Sequence, residues 1–175
     1  MTPSRLAGSL WHAHARVLLF AALAWSGAAA ALEVGDTVRL PPVQLLDGRV
    51  VTSADLAGRP LVVEVWASWC PFCALQNPRL QKLYDSTGGA RGGLQVLALS
   101  IDKDPKDAAT YMAKHGYTFA AAMDTPALRA VLGKRRGLPE LYVIDGHGKV
   151  VQKEVGEMLE EEVAALARYA TPAQK

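Results

Sequence analysis

Between residues 32 and 175 the chain alternates short apolar runs with amphipathic stretches, and the two periodicities separate its elements. Leu61–Trp66 (LVVEVW) and Leu94–Ile101 (LQVLALSI) are continuous β-rich runs. Such runs suit strands covered on both faces, as in a parallel sheet. Val43–Leu46 and Val50–Thr52 flank Asp47-Gly48, a two-residue hairpin signal. A second pair, Leu141–Ile144 and Lys149–Val155, brackets the turn Asp145-Gly146-His147-Gly148. Helical spacing fills the gaps. Pro71–Ser86 sets Phe72, Leu75, Leu80, Leu83 and Tyr84 near one face. Asp104-Pro105 reads as an N-cap and first-turn proline of a helix ending around His115-Gly116. A short helix follows Asp124-Thr125-Pro126, and a last one covers Leu159–Tyr169. Strand, helix, strand, helix, then a hairpin and a terminal helix predict a mixed α/β sheet with helices on both faces.

Composition narrows the reading further. With 175 residues, 50% of them apolar and 21% charged, the chain is an ordinary globular one, long enough to bury a core without disulfide staples. The net charge of +2 comes from Arg5 and Arg16, because no acid precedes Glu33. The remaining residues are neutral overall, which argues against nucleic acid as a partner. The first 31 residues read as an address. Arg5 and Arg16 form a basic start, Val17–Trp25 is apolar, and Ala28–Ala31 offer a small-residue cleavage site. The apolar stretch is shorter than the ~20 residues that span a bilayer comfortably. It is expected to be a cleaved signal peptide or an uncleaved N-terminal anchor, with residues 32–175 forming one domain outside the cytoplasm. Membrane contact is expected only if the segment stays attached.

Cys70 and Cys73 are the only cysteines, in Trp66-Ala67-Ser68-Trp69-Cys70-Pro71-Phe72-Cys73. They follow a buried-strand pattern and open a helix. Free N–H groups and the helix dipole at that junction stabilise a thiolate on the first cysteine. Cys70 is therefore expected to be the nucleophile, and Cys73, one turn on, the thiol that resolves a mixed disulfide. A purely structural bridge is the weaker reading, since closing so small a ring contributes only about 2 kcal/mol against about 3 for fifteen residues. A zinc site would need about four ligands, and residues 32–175 add only His115 and His147 as imidazole donors, both distant in sequence. No metal is expected. The redox-active disulfide is its own cofactor, although transient Cu(I) capture by the dithiol stays open.

In this ordered company the motif resembles the active site of the thioredoxin superfamily, in particular its extracytoplasmic TlpA/ResA-like branch. Val34-Gly35-Asp36, Leu46-Asp47-Gly48-Arg49 and Asp55-Leu56-Ala57-Gly58-Arg59-Pro60 are similar to the N-terminal extension of that branch. Pro78 matches the proline of the active-site helix. Ser100-Ile101-Asp102, Phe119 and Asp124 fall where the branch carries its central strand and inserted helix–strand element. Gly137-Leu138-Pro139 before Leu141-Tyr142-Val143-Ile144-Asp145 resembles the cis-proline loop and its strand. The resemblance implies a thioredoxin fold with an N-terminal β-hairpin extension. It also implies a periplasmic reductase of protein disulfides, recharged by a membrane electron donor of the DsbD/CcdA type and acting on oxidised clients such as apocytochromes c or copper-site assembly proteins. A disulfide-forming oxidase on the same fold and a non-enzymatic copper-binding or chaperone module are the rival readings.

Three positions depart from the family pattern. Gln76 stands where many ResA-like members carry Glu, Glu64 takes the place of the buried Asp of thioredoxins, and Glu140 follows Pro139 where Thr is commoner. A carboxylate inside the Leu61–Trp66 run must be paired or protonated. Glu64 is thus either an acid neutralised by a lysine or by water, or a proton acceptor for Cys73. Trp69, Leu138 and Pro139 are expected to meet the client, and Trp66 to lie in the core. Lys134-Arg135-Arg136 reads as a solvated face, with steering of an acidic partner as the alternative.

Overall fold

The structure is a computed structural model that describes residues 31–171. The expected signal segment, apart from Ala31, lies outside the described residues. Among the described residues no helix is long and apolar enough to cross a membrane.

Within them, seven strands and five α-helices follow in the order β1 (Val43–Gln44), β2 (Val50–Val51), α1 (Ser53–Leu56), β3 (Leu61–Trp66), α2 (Pro71–Ser86), β4 (Gln95–Ser100), α3 (Pro105–His115), β5 (Ala120–Met123), α4 (Pro126–Leu132), β6 (Glu140–Ile144), β7 (Val150–Val155) and α5 (Glu160–Ala165). Strands β1 and β2 pair as a separate antiparallel hairpin; the others form one sheet in the order β5-β4-β3-β6-β7. Within it β3 pairs parallel with β4 and antiparallel with β6, so the sheet is mixed. The expected thioredoxin-type α/β architecture, with its hairpin extension and inserted helix–strand element, is the one observed.

Alternation along β3 divides the core in two. Val62 and Trp66 pack on one face with Leu80 and Leu83 of α2, Ala108 and Met112 of α3 and Val163 of α5. Val63 and Val65 pack on the other with Leu128 and Leu132 of α4 and with Leu32, Leu40 and Leu45 of the N-terminal extension. All six residues of β3 are buried, as a central strand requires.

Several elements differ from the sequence expectation. The hairpin strands are only two residues each, because the chain turns directly after them: Leu45 donates to the Arg49 carbonyl while bridging Ala122, and Leu46 donates to the Ala121 carbonyl. Strand β5 is not marked by periodicity. Its sequence AAAM lacks β-branched residues, and only pairing with β4 makes it a strand. The terminal helix tightens into a 3₁₀ turn over Leu166–Tyr169. In α2 the buried stripe is Cys73, Gln76, Asn77, Leu80, Leu83 and Tyr84. Phe72 and Leu75, expected on that face, are instead exposed. Two polar residues hold core positions while two apolar ones face solvent, which inverts the binary pattern over the first turns of the helix.

Candidate active site

The site is built where β3 ends and α2 begins. Cys70 is the N-cap of α2 and Pro71 its first residue, where a missing N–H costs nothing. The backbone N–H of Cys73 donates to Cys70 Sγ at 3.2 Å, so the first sulfur sits on a free amide at the positive end of a 16-residue helix. Cys70 and Cys73 form a disulfide with their Cα atoms 5.3 Å apart. Cys70 is 4% exposed and Cys73 fully buried, whereas Trp69 is 65% exposed. The pair is thus reached from the Cys70 side, beside a projecting indole. Trp66 lies in the core as expected.

The loop leading into the helix is held from the neighbouring strand. Asp102, just beyond β4, accepts from the Ser68 backbone N–H at 3.1 Å and from the Ser68 hydroxyl at 2.9 Å. Its carboxylate also takes the Ser100 hydroxyl at 2.6 Å. This clamp fixes the chain two residues before Cys70. It joins residues 34 apart in sequence, and nothing in the local pattern around Asp102 signals it.

Glu64 lies beneath α2, fully buried and paired in register with Ala98 and Leu141. Among the described residues no lysine neutralises it, and its Oε2 has no partner. Gln76 Nε2 donates to Glu64 Oε1 at 2.8 Å, while Gln76 Oε1 accepts from the Met158 N–H at 2.8 Å. Burial raises the Glu64 pKa to about 8, and the amide of Gln76 lowers it only in part. A group with that pKa holds its proton at neutral pH. Cys73 and Gln76 are three residues apart on one helix, a spacing that sets side chains ~5–6 Å apart at Cβ. Glu64 is thus hydrogen-bonded to a residue one helical turn beyond Cys73, with Gln76 as the link. The departure from the family pattern at Gln76 and the one at Glu64 are two halves of one contact.

The Gly137–Pro139 loop meets the cysteine loop by register. Val65, next to the last residue of β3, pairs with Glu140, the first of β6. Both loops consequently emerge at the same end of the sheet. The Leu138–Pro139 peptide is cis, as the resemblance implies, and the Pro139 carbonyl accepts from Gly156 N at 2.8 Å. Leu138 is partly buried against both core clusters. Around these two loops lie Trp69, Phe72, Leu75, Val155 and Leu159, each exposed by about half or more. A Cβ on Gly137 would come within 3.1 Å of Val155 Cγ1, so glycine there lets β7 close against the loop.

The basic run is solvated at Lys134 and Arg136, as expected, and two of its charges are paired. Arg135 is paired with the buried Asp124, and Arg136 Nη2 lies 2.6 Å from Glu33 Oε1. His115 ends α3 and stacks between Tyr111 and Tyr117. Among the described residues no group of three or more His, Cys, Asp or Glu side chains is placed to hold a metal ion.

A family model described as Redoxin matches residues 33–169. The chain is 26% identical to thiol-disulfide oxidoreductase ResA of Bacillus thuringiensis over 129 residues, covering 73% of this chain and 72% of that protein. It is 33% identical over 119 residues to thiol:disulfide interchange protein DsbE of Pseudomonas aeruginosa, covering 67% of this chain and 62% of that one. A solved thiol:disulfide interchange protein of the thioredoxin family from Chlorobium tepidum superposes with a TM-score of 0.70 at 24% identity, over 80% of this chain and 99% of that one, and shows the same fold. A disulfide capping a helix at the end of the central strand of a thioredoxin-type sheet, together with these relatives, places the chain in the Redoxin family as a TlpA/ResA-like thiol-disulfide oxidoreductase of the thioredoxin superfamily.

Proposed function

We propose that this oxidoreductase works outside the cytoplasm, in the periplasm, as a reductase of protein disulfides. The observation that carries the mechanism is the position of Cys70, an N-cap whose sulfur receives the Cys73 amide. In the reduced protein that amide and the helix dipole favour a Cys70 thiolate. The thiolate attacks one sulfur of a client disulfide; a mixed disulfide forms and the other client sulfur leaves as thiolate. Cys73 then loses its proton, attacks Cys70 Sγ and expels the second client sulfur. The client gains two electrons and the enzyme becomes the Cys70–Cys73 disulfide. Through its ionised fraction, roughly a tenth at pH 7 for a pKa of about 8, Glu64 is the proton acceptor for Cys73 in this direction, and in its prevailing protonated form it is the donor when the enzyme is recharged. The exposed Trp69, with the half-buried Leu138 and the buried Pro139 behind it, forms the surface on which the client lies, in the strand-like pairing that loop backbone offers.

The partners in this reading are oxidised client proteins and a membrane dithiol donor of the DsbD/CcdA type. The basic N-terminal segment with its apolar stretch and small-residue end supports export of the domain. The ResA and DsbE likenesses support thiol-disulfide exchange, and the resemblance to the extracytoplasmic TlpA/ResA-like branch favours the reducing direction.

Two measurements test this. Iodoacetamide should alkylate Cys70 of the reduced protein well before Cys73 near neutral pH; equal rates, or faster labelling of Cys73, would reverse the assigned roles. The reduction potential, measured against glutathione, should fall nearer the thioredoxin value of about −270 mV than the DsbA value of about −120 mV. A potential at the oxidising end would make the chain a disulfide-forming oxidase.

A further inference from the structure

The face of the sheet away from Glu64 carries a second buried carboxylate that the reaction does not use. Glu140 opens β6 directly after Pro139 and is fully buried. Lys153 of β7 is the cation that faces it, with Nζ 3.6 Å from Glu140 Oε1 and a side chain only 6% exposed. That ammonium also donates to the Leu32 carbonyl at 2.7 Å and to Glu33 Oε1 at 3.1 Å, and it lies over the ring of Tyr142, its cross-strand partner. Burial and the neighbouring Glu140 push the Tyr142 hydroxyl up, so it stays neutral beside the pair.

Glu33 is held from a second side. Arg136, immediately before Gly137, donates to the same Glu33 oxygen at 2.6 Å. The Gly137–Pro139 loop is therefore bracketed by two charged residues, Arg136 on one side and Glu140 on the other, and both connect to Glu33 of the N-terminal extension, Glu140 through Lys153. Removing Glu33 releases Arg136 and takes away one of the partners of Lys153, whose ammonium keeps Glu140 and the Leu32 carbonyl; no other single side chain in the group reaches toward both ends of the loop.

We infer that Glu33 and Lys153 are positioning residues for client recognition: they fix the loop against which a client strand lies. The inference rests on the reading of that loop as the client surface, and it concerns large substrates only. Oxidised glutathione reaches Cys70 without filling the loop edge, so it should be indifferent to the bracket.

The test compares two substrates of the reduced, full-length protein: oxidised glutathione and a peptide closed by one internal disulfide. Glu33 is about half exposed, and Glu33→Gln should leave the melting temperature almost unchanged. It should raise KM for the peptide roughly threefold to tenfold, the range open to one or two such ion pairs, with kcat and the glutathione rate unchanged. Lys153→Met should reproduce the effect and Lys153→Arg should restore the wild-type KM. An unchanged peptide KM in Glu33→Gln overturns the inference. So does a parallel loss with both substrates, or failure of Lys153→Arg to rescue. If the wild-type protein exchanges with neither substrate, the reductase reading itself fails, and the glutathione control identifies that case.

Discussion

Cys73→Ala is expected to turn the enzyme into a trap. With the second thiol gone, Cys70 still attacks a client disulfide, because its sulfur keeps the helix N-terminus and the residue 73 amide, which alanine retains. The mixed disulfide then has no partner inside the protein. Cys73 is fully buried one turn from Cys70 and its Cα lies 5.3 Å away, so it acts at a high effective concentration. Intramolecular groups of this kind reach effective molarities of about 10⁵–10⁸ M. External thiols at millimolar concentration cannot replace that, and release should slow by several orders of magnitude. Non-reducing electrophoresis of cells expressing Cys73→Ala should show covalent adducts that vanish with dithiothreitol, and mass spectrometry would name the clients. Cys70→Ala should give none. Adducts on Cys70→Ala in place of Cys73→Ala would show that nucleophile and resolving thiol are exchanged.

Glu64→Gln should change both the stability profile and the second chemical step. In the oxidised protein the folded carboxyl has a pKa of about 8, far above its unfolded value near 4.5, because burial disfavours its charge. A raised pKa means the native state binds the proton more tightly. The stabilisation is complete below about pH 4.5 and is lost as pH rises toward 8, by up to ~1.4 kcal/mol per pH unit within that window. Urea unfolding of the oxidised wild type between pH 5 and pH 8 should show that decline. Glu64→Gln can keep accepting from Gln76 but has no proton to lose, so its profile should be flat by comparison. In the reduced protein the same change should slow resolution by Cys73 about 10²-fold or more, the usual reach of a general base, while Cys70 attack stays near wild type. Parallel urea profiles for the two proteins, with stopped-flow traces unchanged in both steps, would reduce Glu64 to a tolerated buried acid.

Much of the fold and of the site is legible in the order of residues along the chain. Continuous apolar runs mark the central strands, Asp104-Pro105 and Asp124-Thr125-Pro126 mark two helix starts, and the helices begin there, the first on its expected Asp104 cap and the second on Thr125. Such signals work because they are local: a cap or a turn is satisfied within three or four residues. The cysteine motif is local in the same sense, since strand end, N-cap sulfur and helix are contiguous in sequence. Glu64 is visible as one charge inside a run of apolar residues.

Long-range pairing is not legible in this way. Ala120–Met123 has no strand propensity to display, and it becomes a strand because β4 offers it a ladder. Phe72 and Leu75 look like core residues by composition. The rotation of α2 instead buries Gln76 and Asn77 and leaves the two apolar side chains beside Trp69. Rotation is set by which face meets the sheet; Cys73, Leu80, Leu83 and Tyr84 fix that face, and Gln76 and Asn77 are carried inward with them, Gln76 to meet Glu64. The sequence by itself determined the class of fold, the reactive sulfurs and the presence of a buried acid, because each follows from neighbours along the chain. Only the tertiary structure decided what that acid touches, how Asp102 holds Ser68, and how Glu33 links the two ends of the Gly137–Pro139 loop. Those contacts join residues 12 to 120 positions apart, and no periodic pattern encodes a partner that distant.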